Sequence, residues 1–324
     1  MTVLVTGAAG FIGAYVAQAL VARGERVIGL DNLNDYYSPQ LKRDRARALG
    51  AGRDFELVEG DIADPSVLAR IWREHAPRRV VHLAAQAGVR YSIEAPRVYV
   101  HSNLVGFAEV LEACRHGGVD HLVCASTSSL YGQSPVQPFR EDARIDRPLS
   151  LYAATKGANE LMAHSYAHLF RMPITALRFF TVYGPWGRPD MAPLLFTRAI
   201  LAGRPIQVFN HGQMKRDFTH VSDIVRGVLG ALDQPPAAAD GGAPYRVYNL
   251  GRGEPVDLLR FIELIEIAAG RKAEREYQGM QSGDMLETFA DVGAARAAFG
   301  YQPQTSIEDG VPPLVEWCRE YAWT

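Results

Sequence analysis

The sequence predicts an α/β protein with a doubly wound parallel sheet and a smaller α/β substrate-binding lobe. In the first half, short β-branched runs alternate with amphipathic stretches of helical period. A glycine-rich turn joins the first of these runs to the first helical stretch. After about residue 181 the alternation loosens and proline and glycine become frequent. Together these observations favour a Rossmann-type sheet followed by a second lobe over its carboxyl edge.

Six strand patterns precede the change in character near residue 181. They are Val3–Val5, Arg26–Leu30, Phe55–Val58, Arg79–His82, His121–Ala125 and Ile174–Arg178. Helical patterns between them include Phe11–Ala22, Pro65–Glu74 and Leu104–Cys114. Strands that alternate with helices pair in parallel, so helices are expected on both faces of the sheet.

The chain is expected to divide near residue 180. Residues 1–180 would form the dinucleotide-binding domain, and 181–324 the substrate lobe, with segments near 216–250 returning to the first domain. The proline- and glycine-rich stretch 235–244 is expected to be an exposed loop. Short strands and helices follow it, including the stretch Val256–Ala268.

Composition excludes several classes of protein. A formal net charge of −2 over 324 residues gives no excess of positive charge for nucleic acid or an anionic membrane. No stretch approaches 18 apolar residues, and no basic, apolar leader opens the chain. The three cysteines are widely spaced, which favours reduced thiols over a disulfide frame or metal site. A cytoplasmic protein without a bound metal is expected.

The turn after the first strand reads Gly7-Ala-Ala-Gly10-Phe-Ile-Gly13. Glycines let the backbone turn tightly and approach a pyrophosphate, and the helix N-terminus offers N–H groups to the phosphates. The spacing is GxxGxxG, and a plain turn remains the alternative explanation. The preceding strand and the following helix favour a dinucleotide site.

Asp31 ends the second strand, 18 residues beyond Gly13. A carboxylate there accepts both ribose hydroxyls and repels a 2′-phosphate, which favours NAD over NADP. Three basic residues downstream would tolerate a phosphate, but they are expected to line an exposed helix face: Lys42, Arg43 and Arg45. Asp61, after the third strand, is placed to meet the adenine amino group.

Tyr152 and Lys156 form a YxxxK pattern on a predicted helix, where side chains four residues apart share one face. A nearby ammonium and a positively charged nicotinamide would stabilise the phenolate. Thr127 follows the strand that ends at Ala125, and its hydroxyl could relay a proton. Alone, YxxxK also fits a solvated helix pair, but the three elements in this order behind a glycine loop favour a catalytic site.

Five stretches of the chain resemble the extended short-chain dehydrogenase/reductase family. They read GLDNLNDYY at residues 29–37, HLAAQAGVRY at 82–91, PLSLYAATK at 148–156, RFFTVYGPWGRPDM at 178–191 and RDFT at 216–219. Within the family the chain is most similar to the branch that epimerises UDP-glucuronate at C4. The resemblance implies that Tyr152 removes the sugar 4-OH proton while NAD takes and then returns a hydride.

The resemblance also implies which residues bind. The cofactor set is Gly7, Gly10, Phe11, Ile12, Gly13, Asp31, Asn32, Asp61, Ile62, Leu83, Ala84, Ala85, Asn103, Tyr152 and Lys156. The UDP-sugar set is Arg90, Thr127, Ser128, Ser129, Thr181, Arg188, Phe209, Arg216 and Asp284. A homodimer is implied, through a four-helix interface built from Leu104–Cys114 and Ala153–Leu169.

Three differences separate the chain from relatives in that family. Sugar 4,6-dehydratases carry Asp-Glu where Ser128 and Ser129 stand, and UDP-xylose synthases carry glutamate at Ser129. UDP-galactose 4-epimerases usually carry asparagine where Thr181 stands. A 4-epimerase of a neutral UDP-hexose remains the alternative enzyme, and a non-catalytic NAD-binding sensor is the alternative from another class.

Overall fold

Seven parallel strands form the central sheet in the computed structural model, which describes residues 1–50, 52, 54–134, 136–238, 241–280 and 285–323. The strands in chain order are β1 (Thr2–Thr6), β2 (Arg26–Asp31), β3 (Phe55–Glu59), β4 (Arg79–His82), β5 (His121–Thr127), β6 (Ile174–Phe179), β7 (Thr181–Tyr183), β8 (Ile206–Val208), β9 (Lys215–Arg216), β10 (Phe218–His220), β11 (Tyr245–Leu250), β12 (Val256–Asp257), β13 (Arg275–Tyr277) and β14 (Glu287–Thr288).

Helices cover the sheet and build the second lobe. In chain order they are α1 (Phe11–Ala22), α2 (Pro39–Leu49), α3 (Pro65–His75), α4 (Tyr91–Glu94), α5 (Pro96–Tyr99), α6 (Gly106–Gly117), α7 (Leu151–Phe170), α8 (Ala192–Ala202), α9 (Val221–Leu232), α10 (Leu258–Ala269), α11 (Gly293–Phe299) and α12 (Ile307–Glu320). A π-helical turn over Val100–Val105 leads into α6, and a 3₁₀ turn over Ser128–Tyr131 follows β5.

The sheet order is β3-β2-β1-β4-β5-β6-β11, so the direction of winding reverses between β1 and β4. Thr6, at the end of β1, pairs with Leu30 on one side and His82 on the other. Ligands of doubly wound sheets bind at the carboxyl ends of strands beside such a reversal. The doubly wound, Rossmann-type fold predicted from the sequence is confirmed.

Each face of the sheet has its own apolar core. Val3 and Val5 point to the face covered by α1 and α9, whereas Leu4 and Val80 point to the face covered by α3, α6 and α7. The alternation within β1 follows from the period-2 geometry of a strand, and both sets of side chains are fully buried. The sheet therefore forms a rigid floor for whatever lies at its carboxyl edge.

The second lobe packs around a separate core from α8, α10 and α12. Tyr183 and Phe218 extend this core from β7 and β10, and Phe218 stacks on Phe261 of α10 at 4.1 Å between ring centroids. Short two- and three-stranded sheets made of β7–β10 and β12–β14 complete the lobe, while β11 joins the central sheet beside β6. Among the helices of the described residues, none combines the length and apolarity needed to cross a membrane.

Two predicted stretches begin differently in the structure, while several predicted strands end one or two residues later than expected. The stretch Val256–Ala268 begins as β12, which pairs antiparallel with β9, and α10 starts only at Leu258. The helix predicted from Leu104 starts at Gly106, because the residues before it form the wider π turn. Strand pairing and helix widening depend on distant neighbours, which the local pattern does not contain.

A buried ion pair joins α7 to β6. Arg178 donates from Nε and Nη2 to the two carboxylate oxygens of Glu160, at 2.9 and 2.7 Å. Ser126, on the neighbouring β5, donates to the same carboxylate at 2.6 Å. Side-chain exposure is only 4% for Arg178 and 6% for Glu160, so neither charge has much access to water.

We expect Arg178→Met to lower the free energy of unfolding by about 3–5 kcal/mol, because it leaves the Glu160 carboxylate buried without its cation. Urea unfolding of the purified protein measures this difference. Arg43→Met is the matched control, since the Arg43–Glu59 pair is about half exposed and should contribute less than ~1 kcal/mol. Similar losses in the two variants would contradict the role assigned to the buried pair.

Candidate active site

One cleft lies across the carboxyl ends of the central strands and reaches β7 of the second lobe. From the predicted cofactor set it is lined by Gly7, Gly10, Phe11, Ile12, Gly13, Asp31, Asn32, Asp61, Ile62, Leu83, Ala84, Ala85, Tyr152 and Lys156. From the predicted substrate set it is lined by Thr127, Ser128, Ser129, Thr181 and Arg188. The structure thus brings most of both sets to a single surface.

The glycine loop needs glycine for reasons of space. Gly7 has φ +69°, and a Cβ there would lie 2.7 Å from the backbone nitrogen of Ala84. A Cβ at Gly10 or Gly13 would lie 2.9 or 2.0 Å from the Gly7 carbonyl oxygen. Gly10 is the N-cap of α1, so no side chain at that position competes for the first N–H groups of the helix.

Asp31 is held by the backbone at the end of β2. Its Oδ2 accepts from the N–H of Ala9 at 3.0 Å, and its Oδ1 accepts from the N–H of Leu33 at 2.9 Å. Each carboxylate oxygen has a second acceptor site left for a hydroxyl. The side chain is half-buried in the cleft wall, so it presents a fixed negative charge to a ligand.

Asn103 lies behind the wall of the cleft instead of on it. Its Oδ1 accepts from the N–H of Gln86 at 2.8 Å, and its Nδ2 donates to the Gln86 carbonyl and to Thr155, both at 3.0 Å. Gln86 itself lines the cleft. The structure therefore assigns Asn103 the task of fixing the segment after β4 to α7.

Tyr152 and Lys156 stand on the first turns of α7, which is capped by Ser150 through a 3.1 Å bond from the Ala153 N–H. Lys156 is 2% exposed, and its ammonium donates to the carbonyl of Ala125 at 2.9 Å. That bond ties the lysine to the end of β5. Tyr152, half-buried, faces the cleft one helical turn earlier.

The protonation equilibria of this pair follow from their burial. Burial lowers the pKa of Lys156 to about 8, although Cys124 and Glu160 oppose the shift. Burial raises the pKa of Tyr152, while a hydrogen bond with Thr127 and the charge of Arg188 pull the pKa back down. In the protein alone the phenol is therefore protonated at neutral pH, and a further positive charge beside it is needed to make it a base.

A row of hydroxyls begins at the end of β5 and lines the cleft. Thr127 accepts from the N–H of Ser129 at 3.1 Å and donates to the Ser129 hydroxyl at 3.2 Å. Thr181, at the start of β7, lines the same cleft as Thr127 and Ser128. Hydroxyls at these positions can donate to an anionic group on a ligand.

Arg188 brings a positive charge to the same cleft, but its guanidinium is already engaged. Nε and Nη2 bind the two carboxylate oxygens of Asp190 at 3.0 and 2.5 Å. The hydroxyl of Tyr36 donates to the same carboxylate at 3.0 Å. The two-pronged face of Arg188 thus points at Asp190, and a ligand would meet the remaining edge of the guanidinium.

Three further predicted substrate residues lie outside the lining of this cleft. The guanidinium of Arg90 stacks over the ring of Phe209, 4.7 Å from the ring centroid. Arg90 directly follows Val89 in the chain, and Val89 lines the cleft. Arg216 donates to the carbonyls of Lys215 and Leu286 at 2.9 and 3.3 Å. The structure brings Arg90 and Phe209 together and holds Arg216 on β9, while Asp284 falls outside the described residues.

The expectation of an exposed basic face on α2 is wrong for two of its three residues. Lys42 is 5% exposed and Arg45 is fully buried, whereas Arg43 is exposed. Lys42 donates to the backbone and side-chain oxygens of Asn34, at 2.6 and 2.7 Å. Burial lowers its pKa to about 8. The carbonyls that accept from Arg45 belong to remote segments, so the local sequence gives no sign of its burial.

Several lining residues were missed by reasoning from sequence. They are Leu30, Asn34, Tyr36, Tyr37, Lys42, Gly60, Gln86, Ala87, Gly88, Val89, Ser102, Ala125, Ser126, Phe179, Phe180, Val182 and Met191. Most of them fall inside the stretches 29–37, 82–91 and 178–191, which carried the family resemblance. That resemblance was the available signal, since each residue alone has an ordinary structural explanation.

Comparison with known proteins agrees with the geometry of the cleft. Residues 3–251 match the model of the NAD dependent epimerase/dehydratase family. The chain belongs to the NAD-dependent epimerase/dehydratase family. This match confirms the resemblance to extended short-chain dehydrogenases/reductases and the choice of an enzyme over a sensor.

Named relatives in this family narrow the comparison. The chain is 47% identical to UDP-glucuronate 4-epimerase 1 of Arabidopsis thaliana, over 99% of this chain and 77% of that protein. It is similar to a UDP-glucuronic acid 4-epimerase from Bacillus cereus solved with UDP-glucuronic acid and NAD, with TM-score 0.91, 33% identity and 99% of each chain covered. A UDP-glucose 4-epimerase from Thermotoga maritima solved with UDP-glucose matches with TM-score 0.88, 30% identity and 99% coverage of each chain. The fold alone therefore does not separate acidic from neutral sugars.

NAD, the cofactor of this family, fits the residues present. Without a Cβ at Gly7, Gly10 and Gly13 the loop packs closely on itself and on Leu83–Ala84, and α1 begins directly after it. The N-terminus of α1 can then offer backbone N–H groups to a pyrophosphate. Asp31 offers fixed acceptors at the end of β2, where a ribose would lie. Tyr152 and Lys156 would then flank the nicotinamide end of the cleft.

We expect cofactor-stripped protein to regain activity with NAD at least roughly tenfold better than with NADP, because the Asp31 carboxylate repels a 2′-phosphate. Asp31→Ser should narrow this preference, since it removes the charge and leaves Lys42 in the cleft. Reactivation is measured by turnover after adding each cofactor to the same stripped stock. Equal reactivation of the wild-type protein by NAD and NADP would refute the assignment.

Proposed function

We propose that the protein is an NAD-dependent 4-epimerase that interconverts UDP-glucuronate and UDP-galacturonate through a 4-keto intermediate. The observation that carries this proposal is the single cleft in which Tyr152 and Lys156 face a row of hydroxyls at residues 127–129 and 181. The glycine loop and Asp31 complete the same cleft. The relatives named above for UDP-glucuronate support the acidic sugar over a neutral hexose.

The proton steps belong to residues of this chain. Tyr152 takes the 4-OH proton of the sugar, and Thr127, which lines the same cleft, orients the reacting oxygen and relays the proton. Lys156 lies one helical turn after Tyr152 and is fixed by the Ala125 carbonyl, and we propose that its ammonium favours the phenolate. When bound, NAD supplies a hydride acceptor for C4 and a fixed positive charge at the nicotinamide ring.

Oxidation of glucuronate at C4 produces a β-keto acid, which loses CO₂ readily when the C–CO₂⁻ bond is perpendicular to the carbonyl plane. An epimerase must therefore hold the carboxylate away from that orientation. We propose that the hydroxyls of Ser128, Ser129 and Thr181 fix its rotation, and that the outer edge of Arg188 adds positive charge. Asp190 keeps the Arg188 guanidinium in place, but its negative charge partly offsets the attraction of Arg188 for a ligand carboxylate.

The nucleotide would extend toward the second lobe. We propose that Arg90 and Arg216 bind the diphosphate, because guanidinium groups match phosphate geometry. Phe209 offers a ring face for uracil and already stacks with the Arg90 guanidinium. Asp284, near the expected site of the nucleotide ribose, remains part of this proposal on the family resemblance alone.

We also propose that the protein is a homodimer. Leu161 and Leu169 on α7 are 72% and 64% exposed, and Val105 before α6 is 45% exposed. Exposed apolar side chains on neighbouring helices are typical of a surface that pairs with another copy. The helices α6 and α7 of two copies would form the four-helix interface expected from the sequence.

A cytoplasmic location is proposed from the state of the cysteines. Cys114, Cys124 and Cys318 are all buried and unpaired. Burial raises the pKa of Cys124 to about 12 and that of Cys318 to about 11, so both thiols stay protonated. Three inert thiols without a disulfide are typical of a protein that works in a reducing compartment.

Tyr152→Phe tests the proton chemistry. We expect turnover to fall at least roughly a thousandfold, because the acid–base group is removed, while NAD stays bound because the ring remains. Turnover is measured by chromatographic separation of the two UDP-uronates, and bound NAD by extraction of the purified variant. A rate near that of the wild-type protein would refute the mechanism.

Thr181→Ala and Arg188→Ala test the restraint on the carboxylate. A charge-assisted hydrogen bond contributes about 1.5–3 kcal/mol, so kcat/KM for UDP-glucuronate should fall roughly ten- to a hundredfold in Arg188→Ala. The keto intermediate should also leak as a UDP-4-keto-pentose, leaving the cofactor reduced. Mass spectrometry of the products measures both effects.

UDP-glucose serves as the internal control for these two variants, since it presents no carboxylate to the hydroxyl row. Its affinity, measured by calorimetry, should change far less than that of UDP-glucuronate. Equal losses for the acidic and neutral sugars would mean that Thr181 and Arg188 do not recognise the carboxylate. An epimerase of neutral UDP-hexoses would then be the better assignment.

A further inference from the structure

Arg45 of α2 is a fully buried cation that contacts two segments adjacent to residues that line the cleft. Its Nη1 donates to the carbonyl of Ala9 in the glycine loop at 2.7 Å. Its Nε and Nη2 donate to the carbonyls of Trp186 and Gly187 at 3.0 and 3.3 Å. One rigid guanidinium thus joins the cofactor side of the cleft to the residues immediately before Arg188.

The turn that receives these bonds does not adopt a relaxed backbone. Trp186 has φ +60°, in the left-handed region that residues with a Cβ rarely adopt. Its ring packs against Trp317 and Tyr321 of the C-terminal segment, with centroids 5.2 and 5.4 Å apart. Such a conformation persists only where the surroundings fix it, and Arg45 fixes it from the side of the glycine loop.

Two tyrosines from the loop before α2 strengthen the same connection. Tyr37 accepts from Nη1 of Arg45 at 3.0 Å, and Tyr36 donates to Asp190, the partner of Arg188, at 3.0 Å. The segment that begins at Asp31 therefore holds the turn on both sides of Arg188.

We infer that Arg45 is a positioning residue that sets Arg188 against the sugar carboxylate by tying the turn at residues 186–187 to the glycine loop. The inference rests on the proposed function, because it concerns how the site distinguishes an acidic from a neutral UDP-sugar. Arg45 does not reach the sugar-binding hydroxyls itself. Its effect is expected to pass through Arg188.

The chemistry of the guanidinium explains why arginine is needed. Its planar fork sends donors in three directions at fixed angles, toward Ala9, Trp186 and Gly187. A lysine keeps the charge, but its single ammonium cannot reproduce that fork. Arg45→Lys should therefore leave the protein folded with NAD bound while the turn before Arg188 loses one or two of its bonds.

The test uses the NAD-loaded protein and calorimetric titration with UDP-glucuronate and with UDP-glucose. We expect Arg45→Lys to weaken UDP-glucuronate binding about tenfold, and UDP-glucose binding less than about twofold. Arg43→Lys is the matched control, because Arg43 lies on the same helix and is exposed. It should leave both affinities unchanged.

A double-mutant cycle separates positioning from a merely structural role. If Arg45 acts through Arg188, then Arg45→Lys in an Arg188→Ala background should cause no further loss of UDP-glucuronate affinity. Additive losses, or equal losses for the two sugars in the single variant, would overturn the inference. Failure of Arg45→Lys to fold or to retain NAD would also overturn it, because the residue would then be structural.

Turnover by the wild-type protein tests the proposed function, and the affinities of Arg45→Lys test the role of Arg45. Absence of UDP-glucuronate turnover in the wild-type protein would refute the proposed function whatever Arg45 does. Turnover of UDP-glucuronate by the wild-type protein, together with equal losses of both affinities in Arg45→Lys, would refute only the role of Arg45.

Discussion

The close approach of the first helix to the first strand is the constraint on which the rest of the cleft depends. A Cβ at residue 13 would lie 2.0 Å from the carbonyl oxygen of Gly7, so α1 can start where it does only with glycine there. That start aims the N-terminus of α1 at the carboxyl edge of the sheet, where Asp31 and Thr127 also emerge. The strand order of the sheet places these groups along its carboxyl edge, and the glycine loop allows α1 to begin close to that edge.

The charged groups near Tyr152 and near Arg188 are controlled in different ways, by burial near Tyr152 and by an ion pair near Arg188. Near Tyr152, burial lowers the pKa of Lys156 and raises that of the phenol, so the pair is not a strong base until a positive ring lies beside it. Near Arg188, the guanidinium is held by Asp190 before any sugar arrives. Both arrangements limit reactivity in the protein alone and make it depend on what is bound, which suits an enzyme whose keto intermediate must not escape.

Sequence reasoning succeeded where structure is decided locally. The bounds of α1 were predicted without error, and the glycine loop, Asp31 and the Tyr152–Lys156 pair all follow from short patterns. The expected exposure of Lys42 and Arg45 was wrong, because basic residues three apart on a short helix have the local pattern of a solvated face. The carbonyl of Trp186 that binds Arg45 is 141 residues away. The position of Asn103 behind the wall was likewise set by distant partners.

The aromatic residues around Trp186 have an optical consequence. Of the four tryptophans in the chain, Trp186, Trp317 and Trp323 are neighbours in one cluster, while Trp72 stands apart on α3. Three of the four indole chromophores of the protein are therefore located beside the turn that leads to Arg188. The molecule carries its own spectroscopic reporter at the sugar end of the cleft, so movements of that turn can be followed in real time without attaching a dye.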